Sequence, residues 1–190
     1  MATGDLVAWL NADEYYLPDG LAKIATAAEK NPKHGFFHGE PVFVDAECRT
    51  IRVWRAHPFS RFVLLWYGCY IASCCSFWRR EILESADYLD PSYKVIMDGE
   101  YWLRMMKLGV RYKFVPSIIA AFIWHDTNVS AVHKDRRLAE NRKIKLLYGK
   151  LPFADGFAQN AYMRVMRFLA HQWRRVLVLF RLVFIKREKP

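Results

Sequence analysis

The sequence predicts an α/β fold with a basic helical tail, and three observations predict it. Apolar runs of strand length alternate with amphipathic runs of helix length through residues 1–150. The first apolar run, 6–10, drops straight into Asn11-Ala12-Asp13-Glu14, and a carboxylate pair at the end of a buried strand is where a doubly wound sheet presents a cation and a phosphorylated ligand. Residues 151–190 hold 8 Lys and Arg against 2 Asp and Glu, a net +6 of the chain's +10, so the basic excess belongs mainly to the tail.

The elements follow in order. After the strand at 6–10, residues 18–30 form a helix with Pro18 near its first turn and Leu21, Ile24, Ala25 and Ala28 on one face; the Asn31-Pro32 pair ends it. Residues 36–39 and 41–45 read as strand, 46–49 as a turn, and 50–54 as the pairing strand. A short helix at 58–67, an extended segment at 71–78 and a helix at 79–85 come next. Residues 98–108 make an amphipathic helix stopped by Gly109. Strands at 111–116 and 118–124 precede a basic helix at 134–148, and 149–156, with Pro152 and two glycines, is a linker.

Composition limits the alternatives. With 190 residues, 53% of them hydrophobic and 16% aromatic, the chain is long and apolar enough for one cored domain over 1–150 with an appendage over 151–190, and is no disordered tail. Cys48, Cys69, Cys74 and Cys75 show no metal-binding or redox spacing. With no secretory signal at the N-terminus, they read as reduced thiols in a cytoplasmic setting.

Four segments then resemble one family. Residues 4–18, GDLVAWLNADEYYLP, are similar to the strand that carries the metal-binding DxD-type motif in family 2 inverting GT-A glycosyltransferases. Residues 77–81, FWRRE, resemble the segment after the acceptor-side loop, and 97–104, MDGEYWLR, resemble the start of the family's catalytic helix. Residues 120–125, AAFIWH, with Asn128-Val129-Ser130 resemble its closing segment. The motifs stand in the family's order across roughly residues 3–148.

The resemblance implies the C-terminal portion of a Rossmann-like GT-A nucleotide-diphospho-sugar transferase fold, plus a C-terminal amphipathic helix. It implies transfer of a sugar from a nucleotide-diphosphate donor to a glycan or lipid-linked acceptor hydroxyl, with inversion, by metal-assisted single displacement. The leaving diphosphate concentrates negative charge, so a divalent cation, Mn or Mg, is expected on carboxylate oxygen. Asp13 matches the metal-binding acid, and His125 matches a histidine that approaches the metal or diphosphate. Asn11 replaces the usual first acid of DxD and suits a ribose hydroxyl or metal-bound water, while Glu14 lengthens the second arm by one methylene. Asp98 matches the base that deprotonates the acceptor, and its helix N-terminus stabilises the anion while lowering its basicity. Glu100 matches the second acid of that motif and orients substrate or a loop. Trp102 and Trp124 are candidates for stacking a sugar, with core packing as the competing reading.

The family's N-terminal nucleotide-binding half, a βαβαβ unit, has no match in this sequence, so the expectation is an enzyme needing that half in cis or in trans. The alternative is a non-catalytic membrane-surface remnant. For the tail, Arg164, Arg167, His171, Arg174 and Arg181 recur along one face of a helix over 160–189, with Leu, Val, Phe and Trp on the rest. Arg181 interrupts the longest apolar run, so the tail reads as lying on the inner face of a membrane rather than crossing it. Nucleic acid is disfavoured, because the dense Leu, Val and Phe would need a separate explanation.

Overall fold

The computed structural model describes residues 3–125, 128, 132–154 and 156–184. Among these, six strands form one mixed sheet: β1 (Leu6–Ala8), β2 (Glu14–Tyr16), β3 (Phe36–Val44), β4 (Thr50–Val53), β5 (Ser76–Arg79) and β6 (Tyr112–Ile123). The strand order is β1-β5-β3-β6-β2, with β4 pairing β3 beyond the end of β5. Only β3 and β6 run parallel among the described strands. The helices are α1 (Gly20–Lys30), α2 (Arg61–Trp66), α3 (Glu81–Ala86), α4 (Met97–Lys107), α5 (Lys134–Tyr148) and α6 (Gly156–Phe184).

Consecutive residues of a strand point to opposite faces, and β3 uses this to serve two cores. Phe36 joins Trp78, Trp102, Val63, Ile144 and Ala170 on the face covered by α2, α4, α5 and α6. Phe37 joins Phe77, Ile119, Ile24 and Ala28 beneath α1. The result is a three-layer α/β arrangement.

Several expected boundaries shift for local reasons. The first strand is only Leu6–Ala8 and is half-buried at the sheet's edge, not a buried central strand, and Leu10 lies in solvent. Tyr15 and Tyr16 extend rather than opening a helix, because Glu14, Tyr15 and Tyr16 pair with Phe122, Ala121 and Ala120 of β6. Asp19 takes a left-handed φ of 60°, so α1 starts at Gly20 and Pro18 lies outside it. A Cβ at Gly20 would run into the Ile119 carbonyl of β6, so the helix start rests directly on the sheet backbone. A turn of 3₁₀ helix, Ser73–Cys75, interrupts the expected extended run at 71–78.

The two expected strands around Pro116 are one, the 12-residue β6. Its register against β3 slips between the His38–Phe114 and Glu40–Ile118 pairs, which gives β6 extra residues where Pro116 lacks an N–H. Gly39 sits opposite this bulge, where a side chain would collide with Ile119 and crowd the Ser117 carbonyl.

The tail departs furthest from expectation. Helix α6 lies against α2, and its inward side carries Gln159, Met163, Ala170 and Arg181. Arg181, only 1% exposed, pairs at 2.7 Å with Glu40 of β3, which is itself fully buried. Arg174 donates to the Arg55 carbonyl at 3.1 Å and lies over the rings of Trp54 and Tyr67. The cations therefore do not form one solvated face: Arg174 and Arg181 turn inward to meet a buried carboxylate and aromatic rings, while Arg164, Arg167 and Arg175 stay in solvent. Positions 185–189 of the expected helix lie outside the described residues. No described helix is long and apolar enough to cross a membrane.

Candidate active site

Strand β2 and the end of β6 bring the first group together. The Ile123 N–H donates to the Asp13 carbonyl at 2.9 Å, which fixes Asp13 next to the segment following β6. From that segment Asn128, almost fully buried, donates its side-chain amide to Asp13 Oδ2 at 2.9 Å and approaches His125 Nε2 at 3.0 Å. Its own carbonyl oxygen accepts the His125 backbone N–H at 2.8 Å. Asp13 Oδ2 and His125 Nε2 stand 3.4 Å apart. Two acceptors thus converge on the two hydrogens of one amide, an assignment that makes Nε2 the unprotonated ring nitrogen.

Glu14 leads to the second group. Its carboxylate accepts the Asn11 N–H at 2.8 Å and the Ser73 hydroxyl at 3.4 Å, and Asn11 in turn accepts the Trp9 indole N–H at 3.1 Å. Burial pushes the Glu14 carboxyl up, helped by the charge of Asp13, against the lowering effect of its donors. Glu14 is in turn one of the charges acting on Asp98.

Asp98 is half-buried in the first turn of α4, not its cap, since the helix already starts at Met97. It accepts the Gly99 N–H at 2.7 Å and the Cys69 thiol at 3.5 Å. Burial raises its carboxyl to about 6, and the Glu14 charge adds to this against the lowering effect of those two donors. Gly99 allows the arrangement, because a Cβ there would stand 3.3 Å from Cys69 Cβ. Cys69 also donates to the Ile71 carbonyl at 3.2 Å, and burial, with the Asp98 charge, keeps it a thiol.

The remaining candidates lie apart. Glu100 turns the other way, taking Arg104 at 2.9 Å and the Tyr148 hydroxyl at 2.6 Å, and so ties α4 to α5. Trp102 is fully buried among Trp9, Phe36, Trp78 and Tyr101, which leaves no ring face open to solvent. Trp124 is 41% exposed beyond the end of β6, against Phe43 and Phe122. Asn128 and Cys69 were not singled out from the sequence. Asn128 falls in a quoted motif, whereas Cys69 shows no pattern because its partner is 29 residues away.

No group of three or more metal-ligating side chains occurs among the described residues. A cleft of about 1220 Å³ runs beside β1 rather than over Asp13 and Asp98; Val7, Trp9, Trp78, Arg79, Leu83 and Tyr101 are among its lining residues. The outer edge of β1 pairs with no described strand.

The fold is that of a glycosyltransferase-like α/β protein. One solved structure that supports this is S. aureus TarS, a glycosyltransferase, to which the chain is similar with a TM-score of 0.53 at 13% identity. The similarity covers 97% of this chain and 31% of TarS, so the chain spans under a third of that protein's length. No family model and no curated protein matches the sequence.

Proposed function

We propose that the chain forms the cation and acceptor side of an inverting glycosyltransferase of the family 2 type. Asp98 carries the reading: a half-buried carboxylate whose proton affinity lies near 6 is a better base than an ordinary aspartate and is still ionised at neutral pH. In the proposed reaction Asp98 takes the proton of the acceptor hydroxyl as that oxygen bonds to the anomeric carbon. The carbon–oxygen bond to the diphosphate breaks on the opposite face, its electron pair leaves with the nucleoside diphosphate, and configuration inverts.

A divalent cation, Mn or Mg, fits the pair Asp13 and His125. A carboxylate oxygen and an imidazole nitrogen 3.4 Å apart would hold one ion once the Asn128 amide releases the Nε2 lone pair, with water and phosphate oxygens completing the set. When bound, the cation would neutralise charge on the departing diphosphate. Asn128 keeps Asp13 and the His125 backbone in place through its other bonds. Asn11 begins the turn that carries Asp13 and is the candidate for a donor hydroxyl, and Trp124 offers the exposed ring for a sugar face. The free edge of β1 and the cleft beside it support docking of a nucleotide-binding half there, in cis or in trans.

The test is nucleoside diphosphate release from a panel of nucleotide sugars with hydroxyl acceptors and Mn²⁺, by the full chain alone and with an added GT-A-type N-terminal half. Asp98→Asn is expected to lower turnover by at least about 100-fold with donor affinity unchanged. Asp13→Ala is expected to weaken donor binding in Mn²⁺. Undiminished turnover by Asp98→Asn would overturn the assignment of the base.

A further inference from the structure

The reaction leaves the outward side of α6 unexplained. The helix presents Phe168, Leu169, Trp173, Val176, Leu179 and Val183 to solvent, each between 46% and 70% exposed. At about 100° per residue these side chains fall within about 140° of arc. Arg164, Arg167 and Arg175, all exposed, occupy the adjoining arc of about 80°. The helix contains no Asp or Glu. Solvated apolar strips of this length mark interaction surfaces.

We propose that this face of α6 docks on an anionic lipid bilayer surface, with the apolar strip at the level of the acyl chains and Arg164, Arg167 and Arg175 among the headgroup phosphates. Charge complementarity selects this occupant. A second copy would bring the same acid-free, cationic helix against itself, and an antiparallel pairing would lay the two arginine rows side by side. Negative headgroups meet that row directly, and arginine stems reach sideways while apolar neighbours sink. No described helix can cross the bilayer, so the contact is superficial.

The experiment is cosedimentation of the full chain with vesicles of phosphatidylcholine alone and of phosphatidylcholine mixed with phosphatidylglycerol, with sedimentation velocity in the absence of lipid. The native chain is expected to bind the mixed vesicles at least tenfold more tightly than the neutral ones. Phe168→Ser with Leu179→Ser, both at exposed positions, lowers binding to the mixed vesicles at least tenfold with an unchanged circular dichroism spectrum. Replacing Arg164, Arg167 and Arg175 by Gln abolishes the preference for the anionic lipid. Failure of the native chain to bind mixed vesicles overturns the proposal, as does binding that both variants retain. Self-association without lipid that the Phe168→Ser, Leu179→Ser variant abolishes, together with no vesicle binding, assigns the face to a second copy instead.

Discussion

Asp98 shows what a single environment does to a carboxyl group. Its proton affinity is raised in the folded chain, so between the ordinary aspartate value and about 6 the native state binds more protons than the unfolded one. Stability therefore falls as pH rises through that window, and the full penalty persists above it. Asp98→Asn is expected to be about 1–3 kcal/mol more stable than the native chain at pH 7, and equal to it near pH 4, in urea unfolding followed across pH. Transfer activity is expected to rise with an apparent midpoint near the same value of about 6. At the paired site, Asn128→Ala removes a buried amide that holds both Asp13 and His125. It should cost about 1–2 kcal/mol and weaken Mn²⁺ binding measured by calorimetry. That Asp13 and His125 come together was foreshadowed by the short motif in which each sits. The burial of Trp102 was not, since an aromatic residue within a helix looks the same from the sequence whether it faces core or cleft.

Among the elements, α4 is placed by α5 as much as by its own sequence. Glu140 of α5 accepts the backbone N–H groups of Lys94, Val95 and Ile96, at 2.9, 2.9 and 3.2 Å, immediately before α4. It also takes Arg136 at 2.9 Å. Burial works against this anion, but the donors outweigh it and hold the carboxyl below its usual range. Glu140→Ala leaves three N–H groups without that acceptor, with an expected loss of about 2–4 kcal/mol. Because the folded affinity is depressed, Glu140's contribution is present at neutral pH and lost as pH falls through its lowered value. Equal stability of Glu140→Ala and the native chain in chemical denaturation at pH 7 would refute the clamp. The helices expected at 18–30 and 98–108 were readable because amphipathic spacing is local, and the one at 134–148 was read from its basic run. Glu140 was not, because it lies within a basic, solvated-looking run and its partners are 44–46 residues away. The Pro116 bulge was readable only as a break, because the pairing that bridges it belongs to β3.

For the molecule as a whole, the contact between α6 and the sheet rests on a charge pair rather than on apolar packing alone. Glu40 accepts from Arg181 at 2.7 Å, from the Ala56 N–H at 3.2 Å and from Arg55 at 3.3 Å. Arg181→Ala leaves a buried carboxylate with weaker partners and is expected to cost about 3–5 kcal/mol. Replacing Glu40 and Arg181 together by Gln and Met is expected to recover much of that loss in a double-mutant cycle read by denaturation. The alternating elements revealed the α/β class, whereas the charge count set the tail apart from a core to which Met163 and Ala170 of α6 in fact belong. Which way the tail faced was hidden, because Arg181 reads as a surface residue unless the burial of Glu40 is known.

That pair spans 141 residues of chain. On a ribosome adding about 5–20 residues each second, Glu40 emerges roughly 7–28 seconds before its counter-charge exists. The central strand must wait, its acid still hydrated, until the last helix is made. Burial of the Glu40 carboxylate beneath α6 is therefore a late event in the life of the nascent protein, timed by the arrival of one arginine.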